Sequence, residues 1–140
     1  MNLDEAFGEL RARNKPVPRP LRLPTPSEID AAEQSLGIAF HPDFRRYLLE
    51  VSDVVCGVTE PVTITAPEAH TDLHEVARSA WESYGVPRDV LPICEDNSDF
   101  YCMNSNGEVV YWSHNGPSSE KWPNLAAWIQ DVWLADNEDA

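Results

Sequence analysis

Positive charge is scarce in this sequence. Ten Lys and Arg stand against twenty-four Asp and Glu, a formal net charge of −14 over 140 residues. The deficit is concentrated in one part of the chain. Residues 1–52 hold seven cations and eight anions, a net of −1. Residues 53–140 hold three cations (Arg78, Arg88 and Lys121) and sixteen anions, a net of −13. A field of that sign repels phosphate and anionic lipid, so nucleic acid and membrane surfaces are not expected partners, whereas a cationic protein is. Acidity also serves solubility, so charge alone leaves a partner-directed role and a plain solvated surface both open. Long apolar runs are missing too: none approaches the ~20 residues that cross a bilayer. The acidic start MNLDEAFGEL lacks the basic and then apolar character of a signal peptide. The three cysteines (Cys56, Cys94 and Cys102) include no Cys-x-x-Cys pair, so no structural zinc or redox motif is indicated. An odd number of thiols needs no explanation in a reducing cytosol, and the expected location is cytoplasmic. The six glycines are scattered singly, which excludes a Gly-rich phosphate loop.

What is present describes one folded domain. An apolar content of 42% with five Trp suits a globule with a single core. Leu3, Phe7 and Leu10 fall at i, i+4, i+7 and predict a short helix. Five prolines in residues 16–26 then exclude helix and central strand, so residues 1–24 read as a helix and a stiff connector. The main domain is expected over 25–136. Its first helix has a strong start: Thr25 fits the N-cap, Pro26 the first turn and Glu28 the reciprocal position of a capping box, with Gly37 as the stop. In the next helix Phe44, Tyr47, Leu48 and Val51 form an apolar stripe. VTEPVTITAPE, residues 58–68, reads as a short strand, with Val62 and Ile64 on one face and Thr63 and Thr65 on the other. A helix is expected from about Ala69 to Tyr84. Strands are expected in VLPIC, DFYCMN and EVVYWS, with Asn106-Gly107 as a tight turn between the last two. Leu125, Trp128, Ile129 and Val132 face inward on a closing helix over 125–134, and NEDA is expected to be a frayed tail. Short turns between consecutive strands imply antiparallel pairing. The fold class is therefore α+β, a meander-like antiparallel sheet with helices packed on one face.

Residues 91–116, LPICEDNSDFYCMNSNGEVVYWSHNG, gather Cys, His and carboxylates that could bind metal or move protons. Each chemical reading lacks a part. His70 and His74 stand at i, i+4, a spacing that can chelate zinc, but Thr71 stands where a zincin needs its glutamate base, and no third ligand is placed. Cys102 and His114 lie on neighbouring expected strands, with no orienting group or oxyanion donors at recognisable spacing. Glu95-Asp96-Asn97-Ser98-Asp99 lacks the ligand order of an EF-hand loop, and Asp96, Asn97 and Ser98 are good turn formers. The stretch reads as strand, turn, strand, turn, strand with carboxylates at its loops.

Four pieces in order resemble the SUKH superfamily, the Smi/Knr-type domain of bacterial immunity proteins and of a fungal cell-wall regulator. They are Ile29–Gly37, of form I-x-x-x-E-x-x-L-G; His41–Leu49, HPDFRRYLL; Leu91–Trp112, a proline-led strand, a loop with Asp, a strand and then Gly-x-Val-x-x-Trp; and Leu125-Ala-Ala-Trp128-Ile129. The chain departs from the pattern at Ser52-Asp53, at Ser98-Asp99 and at His41. The resemblance implies an α+β fold and a non-enzymatic role, the neutralisation of a toxin domain, often a nuclease, by direct binding. No cofactor and no catalytic residue are expected. An acidic surface suits the cationic cleft of a nuclease, and the expected partner contacts are Glu95, Asp96, Asp99 and Glu108, with Tyr101 and Trp112 as aromatic anchors. A monomer or weak homo-oligomer is expected. A general regulatory or scaffold domain is the alternative, and a metal-dependent hydrolase built on His70 and His74 is a third reading.

Overall fold

Local signals start each helix, and the apolar stripes then bring the helices together. The structure, a computed structural model, describes residues 1–135. The expected acidic tail and the last residue of the expected 25–136 domain lie outside the described residues. Helix α1 spans Leu3–Ala12; the Asn2 side chain accepts from the Glu5 N–H, and Glu5 accepts from the Asn2 N–H. Its buried side is Ala6, Phe7 and Leu10, which belong to the same core as every later element. The proline-rich connector is pinned at both ends. The Lys15 N–H donates to the Val55 carbonyl at 2.7 Å, and the Thr65 hydroxyl donates to the Arg22 carbonyl at 2.9 Å.

Helix α2 (Pro26–Leu36) has the capping box read from the sequence, with Thr25 accepting from the Glu28 N–H and Glu28 accepting from the Thr25 N–H. The Arg22 guanidinium adds a bond to Glu28 at 2.6 Å. That guanidinium, then the Thr25 N–H, hold the Glu28 carboxyl down to about 2. Helix α3 (Pro42–Glu50) starts under His41, whose Nδ1 accepts from the Asp43 N–H at 3.0 Å. Its stripe of Phe44, Tyr47, Leu48 and Val51 is fully buried, as expected. Helix α4 (Leu73–Ser83) begins later than the sequence suggests, because Asp72 takes the cap by accepting from the Glu75 N–H. His70 therefore precedes the helix, and His70 and His74 do not share a helix face.

Residues 62–65 are not a strand. Among the described residues, its strand-like pairing is limited to isolated bridges, Pro61 to Cys94 and Thr63 to Asp72. Pro61 has no N–H to give to a ladder, and both backbone bonds of Thr63 go to the start of α4: its N–H to the Thr71 carbonyl and its carbonyl to the Leu73 N–H. Thr63 is accordingly as buried as Val62.

The sheet is an antiparallel meander in the order β1-β2-β3-β4, as the fold class required. Its strands are β1 (Leu91–Asp96), β2 (Asp99–Met103), β3 (Val109–Ser113) and β4 (Gly116–Trp122). Asn97 and Ser98 both take positive φ, 51° and 74°, in the β1–β2 turn. In the β2–β3 turn, the Gly107 N–H donates to the Asn104 carbonyl. Gly107 has φ 85°, and a Cβ there would meet His41 Nε2 at 2.6 Å, so the glycine is needed for space as well as for its φ. Strand β4 was not expected. GPSSEKW has no apolar alternation, and its pairing is broken opposite Tyr111, between the Val110–Lys121 and Trp112–Pro117 pairs. The register puts Tyr101 and Tyr111 on one face and Phe100 and Trp112 on the other. Tyr101 meets Trp128 at 5.4 Å, and Phe100 meets Tyr84 at the end of α4, also at 5.4 Å.

The closing helix is α for only one turn, α5 (Leu125–Trp128), and continues as a π-helical turn over Ile129–Trp133. The wider turn brings Trp133 inward as well as Trp128 and Ile129, and the Trp133 indole donates to the Cys56 carbonyl at 3.0 Å. The Tyr47 hydroxyl donates to the Val62 carbonyl at 2.7 Å, tying α3 to the bridged segment.

Two predictions follow from these contacts. Tyr47→Phe removes the donor to a buried carbonyl, so it should cost about 1–2 kcal/mol, read as a lower urea midpoint at unchanged slope. The folded value of Glu28 lies below its unfolded one, so its contribution is full above the ordinary carboxylate value and is lost as pH falls from there through about 2. Glu28→Gln should flatten the acid limb of the stability curve and leave its neutral region less stable than wild type.

Candidate functional site

The segment before α4 and strand β1 meet at one bridge and then part. The Val62 N–H donates to the Ile93 carbonyl at 2.9 Å, and Pro61 pairs with Cys94. Beyond that bridge Val58–Glu60 and Cys94–Asn97 diverge, and a groove of about 290 Å³ opens between them. Tyr101 from β2, Val132 from the π-helical turn and His70 complete its lining. The fork follows from local chemistry. The proline ends the ladder, Gly57 at φ 66° turns the incoming chain, and the Asn97–Ser98 turn ends β1.

The groove carries negative charge beside apolar surface. Glu60, Glu95 and Asp96 line it with Tyr101, Val58 and Val132. Glu60 pairs with the His70 imidazole. Glu95 accepts from the Ser98 N–H at 3.3 Å, and Asp96 accepts from the Asn97 amide at 3.3 Å. Among the described residues, no Lys or Arg forms an ion pair with any of the three. The cations are engaged elsewhere: Arg11 with Asp53, Arg22 with Glu28, Arg45 with Asp30 and Glu33, Arg46 with Asp4 and Glu50, and Arg78 with Glu75. Arg88 lies over the Trp81 ring at 5.4 Å. Val58, at the mouth of the groove, is 83% exposed, the most exposed of the large apolar side chains.

The structure brings some of the candidate contact residues together and separates others. Glu95, Asp96 and Tyr101 share the groove. Asp99 pairs with Asp96 across the β1–β2 turn but is occupied on the other side of its strand. It accepts from the His114 N–H at 2.8 Å and from the His114 ring at 2.9 Å. That N–H first, then the ring and the Tyr111 hydroxyl, hold Asp99 below the usual carboxylate range. Glu108 sits at the far end of the sheet, in the β2–β3 turn, with Asn104 and Lys121. The Asn104 amide first, then Lys121, lower its pKa. Tyr101 is half-buried among Tyr111, Trp122 and Trp128. Trp112 is half-buried on the opposite face, where its indole donates to the Tyr84 carbonyl at 3.2 Å.

The chemical constellations come apart. Cys102 is fully buried and burial pushes its thiol up to about 12, while His114 is beyond the end of β3 with Asp99, so the two do not form a nucleophile pair. His70 is held by Glu60, before α4 rather than on it. Among the described residues, no group of three or more His, Cys, Asp and Glu stands where it could hold a metal ion. No helix of the described residues is long and apolar enough to cross a membrane. Val58, Glu60, His70 and Val132 were not read as contact residues from the sequence. They come from three separated segments, of which the Pro61–Cys94 bridge and the Val62 to Ile93 bond bring the first to β1.

Comparison with known proteins agrees with this architecture. A crystal structure of a protein from Pseudomonas syringae pv. tomato superposes with a TM-score of 0.90 at 44% sequence identity, over 94% of this chain and 98% of that one. No curated protein matches. The SUKH family model described as SMI1-KNR4 cell-wall matches residues 3–134, which takes in α1 and the connector as well as the sheet. The chain belongs to the SUKH family.

Proposed function

We propose that this protein is a non-enzymatic binding module that neutralises a cationic toxin domain, of nuclease type, by covering its active surface from within the cytoplasm. The observation that carries the reading is the uncompensated groove. Glu60, Glu95 and Asp96 line it with no Lys or Arg among the lining residues and only the His70 imidazole on Glu60, in a molecule whose Arg residues are mostly spent on ion pairs elsewhere. Charge left unpaired on one face costs little in water and gives a cationic partner a fast, oriented approach. Val58 beside it is an apolar side chain left in solvent, of the kind that gains most from being covered. Among the candidate contacts, Glu95, Asp96 and Tyr101 fit this face directly. Asp99 is engaged with His114 and Trp112 stands on the opposite face of the sheet, so neither fits this face directly, and Glu108 would belong to a contact that reaches along the sheet. The cell-wall wording of the family description favours a second reading, a regulatory or scaffold domain, which shares the surface and differs in the partner.

The test is co-expression. A toxin-like domain encoded beside this gene should kill when expressed alone and be tolerated with this protein, and the pair should co-purify. Failure to protect against a demonstrably toxic neighbour would contradict the immunity reading and leave the scaffold reading. In the complex, Glu95→Lys with Asp96→Lys should slow association about tenfold or more at low salt. The gap to wild type should narrow as ionic strength rises, because screening shortens the reach of the field.

A further inference from the structure

We infer that the fork between Val58–Glu60 and Cys94–Asn97 is a socket for one basic side chain, an arginine or lysine presented on a loop of the partner, with Val58 as the apolar knob packing beside it. The inference rests on the binding-module reading and specifies the chemistry of its contact. The groove has one closed end, the Pro61–Cys94 bridge, and an open mouth, so it admits a projecting side chain rather than a through-running strand. Its lining matches a basic side chain part by part. Tyr101 and Val132 offer apolar surface to a methylene stem, and Glu60, Glu95 and Asp96 offer carboxylates to the charged head. The His70 imidazole already lies in the groove lining against Glu60, and among the described residues Glu95 and Asp96 form no ion pair, so these two carboxylates are the ones open to the charged head. The aromatic wall is firm. The Tyr101 ring is held between Tyr111 at 4.9 Å, Trp128 at 5.4 Å and Trp122 at 5.7 Å, so little ordering is left to be done on binding.

Arginine fits this lining better than lysine. Its planar, weakly hydrated guanidinium can stack on the Tyr101 ring while bonding two carboxylates, whereas an ammonium keeps more of its water. The other grooves differ: in two of them acids already have arginine partners, Glu75 with Arg78 in one and Asp30 and Glu33 with Arg45 in the other, and two more carry an arginine in the wall. The one lined by Gly37, His41, Arg88 and Met103 has a basic side chain in its own wall. The one under the connector, lined by Val17, Leu21 and Val54, includes Arg19.

The experiment titrates the full-length, isotope-labelled protein with a capped tripeptide, acetyl-Gly-Arg-Gly-amide, and follows amide shifts. The same peptide with norleucine in place of arginine is the control. Saturable shifts confined to Val58–Glu60, Cys94–Asn97 and Tyr101, seen with arginine and not with norleucine, support the socket. Glu95→Gln with Asp96→Asn should then weaken the arginine peptide roughly tenfold. Glu120→Gln, on exposed β4, should change nothing. Shifts spread over every acidic surface, shifts untouched by the double variant, or no saturable shift overturn it. The outcome is independent of the protection test. An empty socket in a protecting protein places the toxin on another face, and a filled socket in a protein that does not protect retires the toxin and keeps the contact.

Discussion

The molecule depends on an unbroken chain of aromatic rings. Phe40 meets Phe44 edge-on at 5.1 Å, and Phe44 stacks on Tyr47 at 5.8 Å. Tyr47 meets Trp133 at 6.0 Å, Trp133 meets Trp128 at 6.3 Å, and Trp128 meets Tyr101 in the sheet at 5.4 Å. This run joins the loop before the third helix and the third helix itself to the closing turn, and the closing turn to the strands. Helix α4 packs on the other face of the meander, where Tyr84 meets Phe100 at 5.4 Å, and this run carries the link on the Tyr101 face. Rings at these separations contribute ~0.5–1.5 kcal/mol per pair beyond their burial, but their larger effect is positional. They fix where Tyr101 stands, and Tyr101 is the wall on which the acidic groove is built.

The same chain runs through the π-helical turn. Leu125, Trp128, Ile129, Val132 and Trp133 fall at the ordinary helical spacing i, i+3, i+4, i+7, i+8. The wider turn buries Trp128, Ile129, Trp133 and Leu134 and leaves Val132 half-buried, and its cost in backbone geometry is offset by two buried indoles and the bond from Trp133 to the Cys56 carbonyl. That bond also fixes the Cys56–Gly57 corner from which the exposed Val58 loop departs. Among the described residues the buried Trp128 indole N–H has no acceptor, which marks where ring packing took precedence over polar satisfaction.

Much of this was legible in the sequence because the relevant signals are local. Thr25, Pro26 and Glu28 specify a helix start from four consecutive residues, and the stripe of Phe44, Tyr47, Leu48 and Val51 specifies a buried face by period alone. Asn106-Gly107 specified a turn for a reason that also holds in three dimensions, since only glycine leaves room for His41. The misses share a cause of the opposite kind. Residues 62–65 have the composition of a strand, but Thr63 spends its backbone bonds on the start of α4, a choice made by tertiary contacts. The Gly116–Trp122 strand has the composition of a loop and pairs because β3 presents an edge. Asp72 outcompeted the earlier residues for the α4 cap and so removed His70 from the helix. At the site, Glu95 and Asp96 could be singled out from the chain, but Glu60 and Val58 are remote in sequence, and nothing local to them announces the fork.

The central claim is that this protein meets its partner through the groove beside β1. The most direct measurement is the structure of the complex between the full chain and the domain with which it co-purifies. It should show a basic side chain of the partner between Glu60, Glu95 and Asp96, against Tyr101, with Val58 covered. A partner seated on the β4 edge or on the α2–α3 surface, with the groove still open to solvent, would contradict it.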